Sequence, residues 1–503
     1  MKIVIVGAGT AGWMSASYLS KNFPHYDINV IEDPDTPSIG VGESVTPHVL
    51  DFILKLGISE EDWIKETGAI HKLANKFIDW QYQGHSEYFS FTYPFSEKYI
   101  DSPKGHPSSL KGYLESKDAT TLDAIVNLYK NGHIDKFDRY FNPQYPYMEN
   151  LAYHHNNLTQ PHAVSHHIDA DKTSIFLKNH IALKNGVKHI KDKVISKTYE
   201  NRKLKSVILD SGKEIQGDYF LDCTGFKRLI INEFDPGFLE YDYPIDSAIV
   251  GRTSYINPEV EMTNYTQSIA KPHGWQFKVT LQNRAGNGYC YSSKLSNEQE
   301  VYDDFIKNTM TEPRKITWKP GRLVSPAKAN VLSIGLSNGF VEPLEANNLY
   351  TIIKTIRLAG DFLKKRENFG IEDHKSFNNR ITTAIDDIKD YLMVHYTLAK
   401  RKDTGFWSSL NELGIRENHA KIVERKINNT QNSIYASFKG ETIFPNYVWA
   451  QFAISWGVDI NFYNKTCVRK AYEFENYFSK SLQYHTQQAK NAESYSNFIR
   501  KIK

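Results

Sequence analysis

The chain of 503 residues is poor in cysteine: Cys223, Cys290 and Cys467 are its whole complement, widely spaced and without a CxxC pair. That excludes a disulfide framework and a thiolate metal site, and it is the usage expected in a reducing compartment. One-sided charge is missing too. The 61 basic and 58 acidic residues leave a formal charge of +3. They are mixed along the chain and form no basic stripe that could track a phosphate backbone, so nucleic acid is not expected as a partner. No apolar run approaches the roughly 20 residues that span a bilayer. The apolar stretch after Met1-Lys2, with small residues at Ser15-Ala16-Ser17, has the outline of a signal peptide, but cleavage there would remove the glycine motif described next. A cytoplasmic protein without membrane contact is expected. The histidine clusters Tyr153-His154-His155 and Ser165-His166-His167 show neither HExxH nor two-His-one-carboxylate spacing, and no metal is expected. Tandem repeats and a long Pro/Gly/Ser linker are likewise absent, so the parts should pack tightly.

What is present is a composition, 40% hydrophobic and 24% charged, that can bury a large core and build two structural regions around one active site. Residues Lys2 to Val6 form a β-branched apolar run that ends at Gly7-Ala8-Gly9-Thr10-Ala11-Gly12 and passes into a helical pattern from Trp13. A second run, Ile28 to Ile31, ends in Glu32. This is the outline of a dinucleotide-binding βαβ unit. Gly7 makes the turn, Gly9 lets backbone approach a pyrophosphate with Thr10 and Ala11 beside it, and Gly12 lets helix and strand pack closely. The helix N-terminus faces the phosphates, and Glu32 accepts hydrogen bonds from the adenosine ribose. The motif alone does not choose between FAD and NAD, and a glycine-rich turn without a ligand is the bland alternative.

Further strand-to-glycine returns at Asp218 to Gly225 and Asn330 to Gly335 fit a doubly wound, Rossmann-type α/β domain interrupted by an insertion. Between Asp169 and Asn185 the pattern is helical, with Ile175, Phe176, Leu177 and Ile181 as its stripe. The expected organisation is a discontinuous dinucleotide-binding core over 1–80 and 160–360, an insertion over 81–159, and a mainly helical region over 361–503. In that last region Phe377, Ile381, Ile385, Ile388 and Leu392 recur at helical spacing. A glycine-bearing loop, Gly40-Val41-Gly42-Glu43 to Pro47, can approach a ligand. Read as a strand, Ala74 to Trp80 places Lys76, Ile78 and Trp80 on one face and Phe77 and Asp79 on the other. Lys76 then shares its face with large apolar groups; the bland reading is an edge lysine that snorkels to water. Tyr93 and Phe95 in the insertion, with Tyr447 and Trp449 near the C-terminus, could sandwich an aromatic ring, with core packing as the alternative.

Several of these segments together resemble the flavin-dependent halogenases, the family that includes the tryptophan halogenases. The matching blocks run in the family's order: Gly7 to Trp13, Gly40 to Pro47, Lys76 to Trp80, His167 to Leu177 and Asp222-Cys223-Thr224-Gly225. They continue with Gly274-Trp275, Leu281 to Ser293, Ile334 through Gly335-Leu336 to Glu345, and Asp390 to Trp407. The resemblance implies a glutathione-reductase-like, PHBH-like FAD domain with a helical C-terminal substrate region. FAD is supplied reduced by a separate flavin reductase, and O2 and halide are co-substrates that yield hypohalous acid. It implies that Lys76 receives this oxidant and that Glu345 is the catalytic glutamate, with a helix-start carboxylate satisfying backbone donors as the lesser alternative for Glu345. The product is a halogenated electron-rich aromatic such as an indole, phenol or pyrrole. Aromatic monooxygenation, sharing the same cofactor chemistry, and non-catalytic FAD binding are the alternatives; a homo-oligomer is left open.

The chain departs from the family twice. The hallmark Trp-x-Trp-x-Ile-Pro is Trp275-Gln276-Phe277-Lys278-Val279-Thr280, which leaves room for a hydroxylase. After Glu345, Ala346-Asn347-Asn348 replace Ser-Thr-Gly, whose Thr-Gly donors bind halide in the family. Asn348 is expected to preserve the loop because Asn tolerates a left-handed backbone, and bromide or iodide is expected to serve at least as well as chloride.

Overall fold

A computed structural model describes residues 1–36, 40, 42–72, 74–81, 86–89, 165–263, 265–307, 312–364 and 371–410, with 419, 421–423, 425, 426, 444 and 449. The chain divides into two compact units, the first of Met1–Ala69, Ile168–Asp246 and Ile316–Asp390, the second of Ile70–His167, Ser247–Lys315 and Tyr391–Lys503.

The first unit is built on six strands: β1 (Lys2–Val6), β2 (Asp27–Glu32), β3 (Lys188–Lys191), β4 (Tyr219–Asp222), β5 (Ala327–Lys328) and β6 (Val331–Ser333). Their order is β5-β6-β4-β1-β2-β3. Four neighbouring pairs are parallel and β5–β6 is antiparallel. β1 is central, and Ile3, Val4 and Ile5 are fully buried. A strand covered on both faces needs an unbroken apolar run, which is what Lys2 to Val6 supplies. Its end, Val6, lies opposite Ile31 on one side and Asp222 on the other. The chain order reverses at this point, where open α/β sheets take their ligands.

Helix α1 (Thr10–Asn22) follows β1 at once, with Gly9 as its N-cap. It packs on α3 (Ala170–Leu177) and α4 (Asn348–Lys364); α2 (His48–Lys55) also packs on α4. Helix α3 is narrower than the sequence pattern suggests. Asp169 caps it by accepting from the Lys172 N–H, a π-helical turn at Lys178–Ala182 follows, and Ile175 is exposed. Helix α5 (Ile371–Leu398) buries the expected stripe of Phe377, Ile381, Ile385, Ile388 and Leu392. Among the described residues no helix is long and apolar enough to cross a membrane.

The second unit carries a sheet in which Ser247–Thr253, Ala285–Tyr291, Gly274–Thr280, Tyr265–Lys271, Ala74–Ile78 and Ser86–Phe89 are successive neighbours. All these pairs are antiparallel except Tyr265–Lys271 with Ala74–Ile78. The strand holding Lys76 ends at Ile78, and Asp79 turns left-handed at φ 63°. This turn breaks the alternation expected from sequence and carries Trp80 to the side of Phe77, whose ring it meets edge-on at 5.4 Å. Trp80 is therefore not a facial neighbour of Lys76. It is the hub of an aromatic core, 5.5 Å from Tyr396, 5.4 Å from Trp407 and 6.3 Å from Trp275 between ring centres. Its indole N–H donates to the Ser268 carbonyl at 2.9 Å.

Candidate cofactor and active site

In the first unit the three fingerprint glycines are required by three different distances. A Cβ on Gly7, whose φ is 103°, would lie 2.4 Å from the Cys223 carbonyl oxygen. On Gly12 it would lie 2.0 Å from the Gly7 oxygen, so even alanine would force helix from strand. On Gly9 it would meet nothing within 4 Å. Gly9 faces open space at the start of a 13-residue helix with no acidic residue in its first turn and no side-chain cap. These residues fit a dinucleotide pyrophosphate, which wants free N–H groups, a positive helix end and no side chain in the way. Thr10 lies beside them, its hydroxyl accepting from Ser174 at 3.2 Å.

Three further segments line up around this end of the sheet. Glu32 closes β2, its carboxylate accepting from His189 Nε2 at 2.5 Å. Gly40 packs against the Asp171 carboxylate so closely that a Cβ would lie 1.8 Å from it. Gly42 has φ 108°. Glu43 is pushed up to about 7 by burial and by the carboxylates of Asp171 and Asp169. Gly335, at φ 72°, would bring a Cβ within 3.0 Å of Ala11, and Leu336 follows it in a short 3-10 turn. Val41 lies outside the described residues.

Sequence reading missed the anchor of these loops. Asp222, fully buried at the end of β4, accepts from the Thr224 N–H at 3.0 Å and hydroxyl at 2.6 Å. It also takes the Ile230 and Ile231 N–H groups at 2.9 Å and the Ser337 hydroxyl at 3.3 Å. One carboxylate thus ties the turn after β4 to the Gly335–Ser337 turn. A buried charge is tolerated when fully hydrogen-bonded. The available signal was an acidic residue ending an apolar strand just before a glycine.

Glu345 and Ala346 take left-handed φ angles of 61° and 59°, a conformation that costs a non-glycine residue free energy and is retained mostly at functional sites. Glu345 is 7% exposed, and the neighbouring Glu43–Ser44 segment contacts its turn. The left-handed residues are these two and not Asn348, which begins α4: the helix starts where the sequence reading expected the loop. Asn347 is buried. Its amide nitrogen makes a long 3.5 Å bond to the Leu344 carbonyl, and its Oδ1 has no hydrogen-bond partner.

In the second unit Lys76 is partly buried, lies between Gln267 and Tyr88 in register, and holds its amine 5.8 Å from the centre of the Tyr265 ring. That is within cation–π range. On the strand Gly274–Thr280, Trp275 is 1% exposed, and Phe277 covers Gly288, where a Cβ would lie 2.3 Å from its ring. Thr280 accepts from His167 Nδ1 at 3.0 Å through its carbonyl and donates its hydroxyl to the Thr263 carbonyl at 2.6 Å. His167 Nε2 accepts from Thr266 at 2.9 Å. Burial, then the Lys72 charge, hold His167 down to about 3, so it is a neutral structural imidazole. Of the aromatic candidates, Trp449 is 1% exposed and packs edge-on against Tyr391 at 4.9 Å. Tyr93, Phe95 and Tyr447 lie outside the described residues.

Residues 2–469 match the family model described as tryptophan halogenase. The chain belongs to the tryptophan halogenase family. It is 31% identical over 432 residues to the tryptophan 7-halogenase RebH of Lentzea aerocolonigenes, covering 83% of this chain and 80% of that one. It is 32% identical over 446 residues to the tryptophan 6-halogenase ThaL of Streptomyces albogriseolus, covering 84% and 81%. The fold matches that of Xcc4156, a flavin-dependent halogenase from Xanthomonas campestris, with a TM-score of 0.80 at 23% identity over 99% and 98% of the two chains. This tryptophan halogenase family member is an enzyme, a flavin-dependent halogenase on a Rossmann-type α/β fold. Such enzymes use FAD, halide and O2, draw on a separate flavin reductase and act on an aromatic substrate.

Proposed function

We propose that the first unit holds FAD on Gly7, Gly9, Thr10, Ala11, Gly12, Glu32, Gly40, Gly42, Glu43, Gly335 and Leu336, and that halogenation proceeds through Lys76 with Glu345. Bound FAD, supplied reduced by a separate reductase, would with O2 supply the two-electron oxidation that turns halide into hypohalous acid. Lys76 positions that oxidant by its amine, and Glu345 orients it or takes the proton lost from the ring. The substrate is an electron-rich aromatic, indole- or tryptophan-like, phenolic or pyrrolic. The observation carrying this reading is the setting of Lys76: an amine partly withdrawn from water inside a sheet, facing an aromatic ring. Desolvation favours a neutral nucleophilic amine, whereas the ring face favours the ammonium donor. Glu345, buried on a strained backbone, supports it.

Reconstitution tests it: FAD, a flavin reductase, NADH, O2 and each halide with a panel of electron-rich aromatics, products read by mass spectrometry. Lys76→Ala is expected to lower halogenation at least about a hundredfold, the scale of a lost positioned catalytic group. Halogenation persisting with the same regiochemistry in Lys76→Ala overturns the relay.

The loop Ala346-Asn347-Asn348 is the basis for the halide reading. With Asn347 Oδ1 an unmatched buried acceptor, an anion gains least when it is small and strongly hydrated, so bromide or iodide is used at least as well as chloride. Equal-halide competition yielding mainly chlorinated product overturns this. The strand Trp275–Thr280 favours one second reading, aromatic monooxygenation, because Phe277 and Thr280 stand where the family pattern has Trp and Pro. Hydroxylated product without halogenated product in the same reconstitution selects it.

A further inference from the structure

We propose that His189 is a positioning residue for the adenosine end of FAD, holding the Glu32 carboxylate in the orientation that accepts the ribose hydroxyls. The inference rests on the reading of Glu32 as the ribose acceptor.

A glutamate ending β2 has three free torsions and, here, a side chain 36% exposed. Left alone it samples many rotamers, and the cost of fixing one is charged against ligand binding. His189 removes that freedom. On β3 it lies opposite Val30, so parallel pairing puts it on the same face as Glu32. Its Nε2 reaches Glu32 Oε2 at 2.5 Å. The imidazole is itself immobilised: its side chain is 12% exposed and its ring meets Trp13 edge-on at 5.0 Å. Trp13 directly follows the third fingerprint glycine and is 3% exposed. Lys178 caps the same indole from 5.3 Å. The glycine turn, the first helix and the ribose carboxylate are thereby linked through one ring.

The charge state matters to this role. Burial lowers the His189 pKa first, the Lys178 charge adds to it and Lys191 contributes slightly, while the hydrogen bond and charge of Glu32 oppose them. The net shift is downward, so at neutral pH the ring donates an uncharged N–H. With Oε2 taken by that N–H, Glu32 Oε1 is left to accept from ribose. An imidazolium at the same place would neutralise the acceptor it positions.

The experiment is a double-mutant cycle on FAD affinity, followed by flavin fluorescence, with riboflavin as the ligand lacking adenosine. His189→Ala is expected to weaken FAD about tenfold, the lower end of the scale for a hydrogen bond to a charged group. Riboflavin binding is expected to stay unchanged. His189→Gln, whose amide nitrogen reaches as far as Nε2, restores affinity, whereas His189→Asn does not. In a Glu32→Ala background, His189→Ala adds no further loss. Unchanged FAD affinity in His189→Ala overturns the proposal, as does an equal loss in both backgrounds or a parallel loss of riboflavin. If Glu32→Ala itself leaves FAD affinity intact, the ribose reading of Glu32 is what fails.

Discussion

The two units build their proposed sites in opposite ways. At the proposed phosphate end of the first unit the decisive groups are missing side chains: hydrogen atoms on Gly7 and Gly12 that no methyl group can replace, and open space in front of Gly9. Around Lys76 in the second unit the decisive groups are large: Tyr265 beneath the amine, with Trp80, Trp275, Tyr396 and Trp407 forming the core to which its strand leads. A backbone site tolerates almost no substitution at a few positions. A side-chain site depends on the rigidity of its whole packing.

The contrast breaks most sharply at Gly12. Gly12→Ala sets a Cβ 2.0 Å from a backbone oxygen that cannot swing away, so α1 must move off β1. The expected outcome is loss of FAD binding by about a hundredfold or more, because helix end and turn no longer meet the same pyrophosphate. Equilibrium dialysis with FAD reads this directly. Retention of FAD at wild-type affinity would show that backbone approach is not what holds the cofactor.

The packing half is tested by Trp80→Ala. The indole is 1% exposed and its N–H is bonded to the Ser268 carbonyl, so truncation leaves a cavity and removes a donor from that carbonyl. A loss of about 3–5 kcal/mol is expected in denaturant unfolding. A loss under about 1 kcal/mol means that the aromatic hub is not what stiffens the lysine strand.

The same contrast decides what was legible in the sequence. Gly7, Gly9, Gly12 and Glu32 act at fixed short separations, so their spacing alone announced a strand, a turn and a helix, and the structure has them there. The buried stripe from Phe377 to Leu392 was legible for the same reason. Trp80 was misassigned to the face of Lys76 because strict alternation was carried through Asp79, whose residue type, tolerant of the left-handed region, was the one local signal of the break. Asp222 and His189 were invisible as partners, since their contacts close over 115 and 157 residues of chain. In the loop after Glu345 the left-handed geometry was anticipated but placed on Asn348, the residue type that tolerates it best, whereas Glu345 and Ala346 bear it. Propensity predicts where strain is cheap, and functional loops hold it where it is not.

A smaller effect sharpens the electrostatic side of the backbone site. Glu43 is raised from 4.5 to about 7 by burial, with Asp171 and Asp169 adding repulsion. A carboxyl with a raised native pKa holds its proton in the folded state while the unfolded chain has lost it, so its contribution to stability is intact below pH 4.5 and declines as pH rises through about 7. At about 1.4 kcal/mol per unit, the cost at pH 8 is about 3 kcal/mol. Glu43→Gln removes the titration and keeps the shape. Thermal melting is expected to show the variant level with wild type near pH 4.5, increasingly more stable up to about pH 7, and more stable by a constant margin from there to pH 8. Asp171→Asn, which removes the stronger of the two repulsions, is expected to lower the Glu43 pKa and so to narrow the stability gap from Glu43→Gln at pH 8. Parallel stability curves for wild type and Glu43→Gln across this range would mean that Glu43 ionises in the folded state at no cost.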